Sequence, residues 1–485
     1  MHNRNSTPPR AGGFLCGVLT LALTTGCVGH GQIVSNDGHA RNVILFIGDG
    51  MGVSTITAAR IFAGQAAGLA GEEHSLAFET FPHLALVKTY NSNQQVPDSA
   101  GTATAMYTGH KTRAGVLSVG PEAHRRNCAE ALEHPLTTIR EIAKSRGRAV
   151  GIVTTTRVTH ATPAALYARS PERDWESDRF LPEPDRAAGC RDIASQLASV
   201  EPGGLDIVLG GGRQEFFGSD RGGTRRTPGD NLVQAWLDGA ANRRYVTTAA
   251  ELDVLQPDEE VLGLFSDGHL SYVAERAAGT TEPSLPEMTA AAIDRLAREE
   301  GFFLMVEGGR IDHGHHDGKP GYALSEAVEF ARAVEVALAK VDLDETLILV
   351  TADHSHVLTL GGYPVRGNPI LGLVVENDGR GEARREASLA ADGQPYTTLG
   401  YANGPGAAGN GARPLPETGI EGVYQALIPR IDTNLDGTLD TDESHGGEDV
   451  ALYAIGAGSD AVSGVIEQNL VFDIMMKAFG WQAGN

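Results

Sequence analysis

The sequence predicts an α/β fold, in which helices cover both faces of a doubly wound, mostly parallel central sheet. Nearly continuous apolar runs alternate along the chain with amphipathic segments, and 61 glycines cluster between them. Apolar runs of this kind are typical of strands that are buried on both faces of a parallel sheet. The glycine clusters are typical of tight turns between strand and helix, and the alternation itself predicts this fold class.

Five apolar runs are the predicted strands, and an amphipathic segment before the last of them is the clearest predicted helix. In Ala323–Val341 the apolar residues recur at helical spacing on one face. That face carries Ala327, Val328, Ala331, Val334 and Leu338. The predicted strands are Val43–Ile47, Val150–Val153, Ile207–Leu209, Phe302–Val306 and Leu347–Val350.

Composition divides the chain into five consecutive parts. From residue 361 to 443, glycine, proline, asparagine and aspartate become dense and the alternation of strands with helices fades. This change predicts a loop-rich insertion mounted on the sheet. The predicted parts are a leader over 1–26, a linker over 27–40, the first part of the α/β domain over 41–360, the insertion over 361–443, and the rest of the α/β domain over 444–485.

The leader predicts export. Arg4 and Arg10 precede the apolar stretch Phe14–Leu23, which is too short to cross a bilayer as a mature helix. The stretch ends at Cys27, and residues 24–27 resemble the lipobox of bacterial lipoproteins. We therefore expect a periplasmic or cell-surface protein that is lipid-anchored at Cys27. The alternative is an ordinary secretory signal that is cleaved nearby.

The charge of the chain limits its partners. It carries 62 acidic and 39 basic side chains, a formal net charge of −23. That sign argues against nucleic acid as a partner, because phosphate backbones require a basic surface. Hydrophobic residues make up 41% and charged residues 21%, which excludes a disordered chain and a coiled coil. An acidic protein can still bind phosphate where metal ions supply positive charge locally.

Carboxylates follow three of the predicted strands at the point where each strand ends. They are Asp49 after the first strand, Glu307 and Asp312 after the fourth, and Asp353 with His354 after the fifth. In open α/β sheets the ligand site lies at the carboxyl ends of the strands, so these side chains are expected to meet. Carboxylates brought together repel each other unless cations separate them, and imidazoles among them favour zinc-like ions. Taken alone, Asp49 could be a turn residue and His354 a buried hydrogen-bonding histidine.

Two short helical patterns add to this set. Asp312 and His316 are four residues apart, which places both on one face of a helical turn. Pro97–Ala105 predicts the start of a helix, where Asp98 or Ser99 can act as the N-cap. A serine at a helix N-terminus also lies where the backbone N–H groups favour an anion such as a phosphoryl group. Ser99 is therefore a candidate nucleophile that a nearby Zn²⁺ could activate.

With these residues in place, the chain resembles the alkaline phosphatase family from about Asn42 to its C-terminal segment. The details resemble the animal-type branch, here in what is interpreted as an exported bacterial member. The resemblance implies a phosphomonoester hydrolase, usually a homodimer, that releases inorganic phosphate and an alcohol from small phosphomonoesters. It rests on five long motifs: Gly48–Gly52, Val96–Ala105, Gly151–Pro163, Val306–Gly318 and Thr351–Val357.

The resemblance also implies the residues of the site. Ser99 would be the nucleophile that becomes phosphorylated, and Arg173 would grip two phosphate oxygens, with Arg169 as its nearest competitor. Three further residues would contact and tune these groups: Asp98, His160 and His313. Two Zn²⁺ and one Mg²⁺ would be held by three sets of ligands: Asp312, His316 and His445; Asp49, Asp353, His354 and Ser99; and Asp49, Thr162 and Glu307.

Two cysteines lie beyond the leader and its lipobox-like cysteine. Cys128 and Cys190 are an even pair in an exported chain, which favours a disulfide over two free thiols. The resemblance places a disulfide of the animal-type branch at the same two positions. In the chain-entropy model such a long-loop bridge stabilises the fold by about 4 kcal/mol.

Residues 432–443 fit the calcium-binding loop of an EF-hand, with Gly437 at the position of the sharp turn. Calcium there is expected to order the segment that carries His445, whereas the plainer interpretation is a solvated acidic turn. The expected ligands are Asp432, Asn434, Asp436, the Thr438 carbonyl, Asp440 and Glu443. The calcium site of the animal-type branch is expected to be incomplete, because Ser266 and Glu282 replace residues of its pattern.

Other functions stay open at this point. A phosphodiesterase of the same superfamily is the nearest alternative enzyme, since the shape of the pocket decides between the two activities. A sulfatase is disfavoured, because no cysteine of this chain begins a Cys-x-Pro-x-Arg segment. The alternative outside enzymes is a noncatalytic, calcium-binding surface lipoprotein.

Overall fold

The computed structural model describes residues 39–201, 204–298, 300–409, 411–433 and 439–482, with the side chains of 432, 433, 439 and 440 left out. The predicted leader, Cys27 and the linker as far as residue 38 lie outside this range. So do residues 434–438 of the predicted calcium loop.

A ten-stranded sheet forms the centre of the described chain, in the order β17-β2-β16-β8-β1-β7-β3-β4-β6-β5. Its strands are β1 (Asn42–Gly48), β2 (His83–Lys88), β3 (Ala149–Arg157), β4 (Ile207–Gly211), β5 (Arg243–Val246), β6 (Glu260–Leu264), β7 (Phe302–Gly308), β8 (Thr346–Ala352), β16 (Val450–Gly456) and β17 (Gly464–Glu467). The five predicted strands are β1, β3, β4, β7 and β8, and they occupy five consecutive positions in the sheet. All pairings among these five are parallel.

One strand breaks the parallel pattern. Strand β16 runs antiparallel to both of its neighbours, β8 and β2. Beyond it, β2 and β17 pair in parallel at one end of the sheet, and β5 and β6 do so at the other. The sheet is therefore mostly parallel, as the alternation of strands with helices predicts.

The helices pack on this sheet and on each other. They are α1 (Val53–Ala66), α2 (Ser99–Thr108), α3 (Cys128–Glu133), α4 (Ile139–Ser145), α5 (Ala161–Ala164), α6 (Glu183–Ala187), α7 (Ile193–Ala198), α8 (Leu232–Leu237), α9 (Ala249–Leu252), α10 (Leu285–Leu296), α11 (Arg310–His316), α12 (Pro320–Lys340) and α13 (Leu470–Ala478). Helices α10 and α12 contact each other and the central strands, and α4 contacts β3 and β7. The predicted α/β fold class is confirmed.

The long helix α12 matches the amphipathic segment Ala323–Val341 closely. Ala327, Ala331 and Val334 of its apolar face are buried, and Val328 and Leu338 are partly buried against the same core. Burial of one apolar stripe is the main source of stability for a helix of this kind in a protein.

Smaller sheets lie in and around the predicted insertion. Strands β10 (Leu358–Leu360), β11 (Leu399–Asn403) and β12 (Ala426–Ile428) form a three-stranded sheet. Two-residue strands pair in two further ladders: β9 (Ser355–His356) with β15 (His445–Gly446), and β13 (Asp432–Thr433) with β14 (Leu439–Asp440). The β9–β15 ladder sets His445 opposite His356, so the segment around His445 lies next to the residues that follow β8.

Candidate active site

Three neighbouring strands of the sheet deliver the predicted carboxylates to one edge. The register pairs Gly48 of β1 with Gly308 of β7 on one side and with Ala352 of β8 on the other. Asp49 and Asp353 directly follow two of these strand ends, and Glu307 lies at the end of β7. All three carboxylates are fully buried, so the fold concentrates negative charge where parallel strands end.

A glycine makes this close approach possible. Gly50 has φ +70°, in the left-handed region that glycine adopts without strain. A Cβ atom at this position would lie 2.3 Å from the His356 ring and 3.3 Å from the Asp312 backbone. Any larger residue would therefore push apart the turns after β1, β7 and β8.

The first predicted zinc set converges on one point. The Nε2 atoms of His316 and His445 lie 3.1 Å apart, and each is 3.3–3.4 Å from Oδ1 of Asp312. The Nδ1 atom of His316 lies 2.6 Å from the Glu443 carbonyl oxygen, and that of His445 lies 2.8 Å from the Pro97 carbonyl oxygen. These contacts orient both rings and leave Nε2 for a metal ion, as is usual for histidine ligands.

The second predicted zinc set converges in the same way. His354 Nε2 lies 3.4 Å from Asp49 Oδ1, 3.2 Å from Asp353 Oδ2 and 3.2 Å from the Ser99 hydroxyl. The chain thus brings two carboxylates, an imidazole and the candidate nucleophile to one buried point. Oxygen and nitrogen donors in this number suit a tetrahedral Zn²⁺.

The predicted magnesium set lies on the other side of Asp49. Thr162 donates its hydroxyl to Asp49 Oδ2 at 3.4 Å. The Glu307 carboxylate accepts hydrogen bonds from the hydroxyls of Thr154 and Thr156, and its ligand atom lies within 4.8 Å of those of Asp49 and His160. A set that consists mainly of oxygen donors suits Mg²⁺.

The unsatisfied polar atoms of this edge support bound cations. Asp49 Oδ1, Glu307 Oε1 and His354 Nδ1 are buried and have no hydrogen-bond partner in the part of the chain that the structure describes. Burial raises the pKa of Glu307 to about 7 and that of Asp353 to about 6, and neighbouring carboxylates contribute to both rises. The pKa of Asp49 is raised well above its usual range by burial and then by Asp353, Asp312 and Glu307. Buried carboxylates that destabilise each other's charged form are the groups that a metal ion neutralises.

Ser99 begins helix α2, and its side chain is 1% exposed. Asp98 is the N-cap, because its carboxylate accepts a hydrogen bond from the Gly101 backbone N–H at 3.1 Å. The sequence left open whether Asp98 or Ser99 is the N-cap. In the structure Asp98 caps the helix, and Ser99 faces the ligand set. The Ser99 hydroxyl also lies at the positive end of a ten-residue helix, where an anion is stabilised.

Arg173 reaches the site and Arg169 does not. Arg173 Nη1 donates to Asp98 Oδ2 at 3.1 Å, and its Nη2 lies 3.2 Å from His160 Nε2. Arg169 pairs with Glu141 at 2.6 Å, on the far side of its own segment. Burial alone would lower the pKa of Arg173, but Asp98 and other acids raise it, so the guanidinium is charged at all relevant pH values.

Three histidine rings line the site next to Arg173. His160 and His313, both predicted, have ring centroids 5.5 Å apart. The third ring, His269, was not predicted, and its centroid lies 4.2 Å from that of His313. His269 comes from the loop after β6, three residues after Ser266, and no ligand spacing in that loop indicates it.

A histidine–glutamate pair behind the first zinc set was also not predicted as part of the site. His356 Nε2 lies 2.7 Å from Asp312 Oδ1, and its Nδ1 lies 2.5 Å from Glu443 Oε2. The other Glu443 oxygen accepts the backbone N–H of Val357 at 2.7 Å. Burial alone would raise the pKa of Asp312. The pKa is nevertheless held well below its usual range by His316, His356 and His445.

Glu443, the last predicted ligand of the loop at 432–443, lies behind the first zinc set in this structure. Its carboxylate is fully buried, and both of its oxygens are used by His356 and Val357. The other predicted calcium ligands, Asp432, Asn434, Asp436, Thr438 and Asp440, lie outside the side chains that the structure describes. At the two positions where the family calcium pattern is expected to be incomplete, Glu282 accepts hydrogen bonds from Ser271, and Ser266 donates to the His269 carbonyl.

The disulfide between Cys128 and Cys190 is confirmed. Its Cα atoms are 5.9 Å apart, and the two cysteines are separated by 62 positions in the chain. They form a small buried cluster with Trp175 and Leu181. Because Trp175 is two residues from Arg173, the bridge supports the segment that carries this arginine.

The comparisons with known proteins agree with this geometry. The family model described as "Alkaline phosphatase" matches residues 40–481. The tissue-nonspecific alkaline phosphatase of Gallus gallus is 44% identical, and the match covers 90% of this chain and 84% of that protein. The alkaline phosphatase of Gadus morhua is 43% identical, with 90% of this chain and 91% of that protein covered. The solved alkaline phosphatase of Thermus thermophilus is 25% identical with a TM-score of 0.64, over 96% of this chain and 97% of that one.

Proposed function

The chain belongs to the alkaline phosphatase family and hydrolyses phosphomonoesters, and we propose that it does so through Ser99 at a centre of two Zn²⁺ and one Mg²⁺. The observation that carries this proposal is the convergence of Ser99, Asp49, Asp353 and His354 within 3.4 Å contacts at a helix N-terminus. The buried oxygens of Asp49 and Glu307 that lack partners support the metal ions.

The residues of the chain divide the work of hydrolysis. Ser99 attacks phosphorus, which forms a bond from its oxygen to phosphorus and breaks the bond to the leaving oxygen, so that the alcohol departs. Water then attacks the phosphoserine, and inorganic phosphate leaves with the serine hydroxyl restored. When bound, the metal ions lower the pKa of the serine hydroxyl and of water and neutralise charge on the phosphoryl oxygens.

Arg173 and Asp98 form the phosphate clamp. A guanidinium donates two parallel hydrogen bonds to two phosphoryl oxygens, a geometry that suits the planar Arg173 side chain. Asp98 fixes that side chain at 3.1 Å while its second oxygen caps the helix that begins with Ser99. The nucleophile and the clamp are therefore held by the same carboxylate.

The test of the nucleophile is Ser99→Ala. We expect turnover of 4-nitrophenyl phosphate to fall by at least about 10³-fold, because nucleophile and helix-end contacts are lost together. No phosphoenzyme should be trapped by acid quenching of the variant, whereas the wild type should yield one on Ser99 by mass spectrometry.

Ser145→Ala is the matched control, since Ser145 is an exposed serine at the end of α4. It should keep wild-type turnover. Near-wild-type turnover by Ser99→Ala, or a phosphoryl group on another residue, would show that Ser99 is not the nucleophile.

For localisation we propose a lipid anchor at Cys27. The lipobox-like residues 24–27 support it, and a relative named "Membrane-bound alkaline phosphatase" from Bombyx mori is 43% identical. Among the described residues, no helix has the length and apolar character needed to cross a bilayer. Mass spectrometry of the mature N-terminus decides the matter, since an unmodified terminus beyond Cys27 is incompatible with the anchor.

We also propose a homodimer. An apolar row at and after β12 supports it, because Leu427, Ile428 and Ile431 are 80%, 56% and 64% exposed. Adjacent exposed aliphatic side chains are typical of a surface that another chain covers. Light scattering after size-exclusion chromatography should give twice the mass of one chain, and a monomer would contradict the proposal.

A further inference from the structure

Among the described residues, three arginines are at least nine-tenths buried, and they differ in how their charge is balanced. Arg226 donates from both Nη atoms to the Asp192 carboxylate, at 3.0 and 3.1 Å. Arg243 donates from Nε to Glu260 at 2.9 Å. Arg295 is 5% exposed, and neither its Nη1 nor its Nη2 has a hydrogen-bond partner in the described part of the chain. It is therefore the one whose charge lacks a directly bound acceptor there.

The surroundings of Arg295 do not favour its charge. Its Nε donates to the Glu259 carbonyl, which is a neutral acceptor. Burial, followed by repulsion from Arg298, lowers the pKa of Arg295, and Asp206 and two further acids oppose this shift only in part. A buried charge is normally retained where a counter-ion and hydrogen-bond acceptors compensate for its loss of water. The contrast with the other two buried arginines thus indicates an anion that the described chain does not itself supply.

The Arg295 side chain lines an open cavity of about 710 Å³, here called the α10 cavity. This volume is within the range of small-molecule sites, roughly 300–1,000 Å³. One wall is a face of α10, and the other is the segment 249–257, which contains α9. The carbonyl that accepts from Arg295 Nε belongs to Glu259, two residues beyond this second wall. The end of the arginine side chain therefore lies beside the cavity.

The side chains of the α10 cavity are small or apolar along its walls and acidic at its rim. Alanines of both walls, which are short, leave the space open: Ala249, Ala250, Ala290 and Ala291. Leu252 and Leu255 add apolar surface.

Three exposed acids form the rim: Asp253, Glu287 and Asp294. Two of them already have partners, since Asp294 pairs with Lys340 at 2.7 Å and Glu287 accepts the Ser284 hydroxyl at 2.7 Å. Acids at the entrance disfavour an anion with two charges, such as phosphate, more than an anion with one.

We propose that the α10 cavity binds a small organic monocarboxylate with an apolar body. The carboxylate accepts two parallel hydrogen bonds from Nη1 and Nη2 of Arg295, the geometry in which a guanidinium and a carboxylate pair best. The apolar body packs on the alanines and leucines of the walls. The inference goes beyond the proposed function, because the cavity contains neither Ser99 nor Arg173 nor any predicted metal ligand.

The test compares phenylacetate with phenylacetamide, a neutral analogue of nearly the same shape, by calorimetry on the holoenzyme. Saturating inorganic phosphate is present, so that the active site is occupied and does not take up the carboxylate. We expect one phenylacetate per chain, bound at least about 10-fold more tightly than the amide, because hydrogen bonds to charged groups are worth about this factor.

Two variants locate the ligand. Arg295→Met removes the donors and should reduce the binding of phenylacetate to the level of the amide. It should stay folded, since replacing a buried charge by an apolar side chain is often neutral or stabilising. Ala290→Leu keeps Arg295 but fills the cavity, and should weaken the binding of both ligands. Arg332→Met, at an exposed arginine of α12, is the control and should bind as the wild type does.

Thermal unfolding gives a second readout. Phenylacetate should raise the melting temperature of the wild type and leave that of Arg295→Met unchanged, because only a ligand that binds the folded state stabilises it.

The proposal is overturned if phenylacetate does not bind, if the amide binds equally well, or if either cavity variant binds phenylacetate as tightly as the wild type. Binding that occurs only when inorganic phosphate is left out would place the carboxylate in the active site. That result would also overturn the proposal, yet leave the proposed function standing.

Discussion

The acidic edge of the sheet lies beside a row of basic and imidazole side chains, and the two regions are built on opposite principles. The row, here called the cationic wall, consists of Arg173, His160, His269, His313 and Arg310. The acidic edge consists of completely buried carboxylates whose charges raise each other's pKa. The side chains of the cationic wall are partly exposed, and among the described residues the Nε atom of Arg310 has no hydrogen-bond partner. The charge of the first region suits cations, and the charge of the second suits an anion. A phosphate ester can satisfy both at once, because its oxygens contact metal ions on one side and guanidinium groups on the other.

The largest effect is expected when a charge is removed from the acidic edge, since this removes part of the contrast between the two regions. Asp49 contacts both the second zinc set and the magnesium set, so Asp49→Asn should disturb both. Loss of one preorganised stabilising group costs about 10²–10³ in kcat, so we expect a fall of about 10³-fold. Turnover and metal content by mass spectrometry should fall together.

Asp460→Asn is the matched control for this variant, because Asp460 is an exposed aspartate remote from the motifs. It should keep both turnover and metal content. A metal-replete Asp49→Asn enzyme with wild-type turnover would show that the acidic edge does not depend on Asp49.

A weaker change sharpens the comparison, because it leaves every predicted zinc and magnesium ligand in place. Glu443→Gln keeps the shape of the side chain but removes the charge that faces His356 behind Asp312. Replacement of such an outer partner typically costs about 10–100-fold in metal affinity, and we expect a loss in that range. Competition with a zinc chelator measures it directly. Glu421→Gln, at an exposed glutamate, should leave the affinity unchanged. Unchanged affinity in Glu443→Gln would mean that the pair only fills space.

The smallest expected effect concerns the loop at 432–443. Both oxygens of Glu443 accept hydrogen bonds from His356 and Val357, and a bidentate contact to calcium would have to replace these bonds. We therefore expect calcium to bind weakly, mainly through the aspartates of the loop. We expect calcium to raise the melting temperature of the wild type by about 2 °C, as about 1 kcal/mol does in a large domain, and to have no effect on Asp436→Ala with Asp440→Ala. The same calcium response in both proteins would show that the loop is a solvated acidic turn.

The central strands and the ligand residues could be predicted from the sequence because they obey local rules. Buried parallel strands such as β1 and β8 are continuous apolar runs, and the ligands follow directly after them. Strand β2 was missed, since its alternation of exposed and buried residues reflects its neighbours in the sheet more than its own composition. The antiparallel insertion of β16 between β8 and β2 depends on pairing between distant segments, which no window of sequence contains.

Among the residues of the site, His356 and His269 were not predicted. They differ in whether a local spacing in the sequence could have indicated them. His354 and His356 are two residues apart, and extended chain places such residues on the same side, so this spacing could have indicated His356. His269 and His313 meet only because the loop after β6 folds against α11. The contact between Glu443 and His356 could not be predicted, because the loop pattern does not show which other groups compete for the Glu443 carboxylate.

The position of β1 in the sheet has a consequence for how the chain is made. Val43 pairs with Phe303 on one side and with Leu347 on the other, so the first strand of the core has no sheet partner until more than half of the chain exists. Pairing between such distant segments is slow, and an apolar strand that waits for its partners is prone to aggregate. During synthesis the N-terminal part of this chain therefore depends on factors that prevent aggregation of unfolded chains until the ribosome has made β7 and β8.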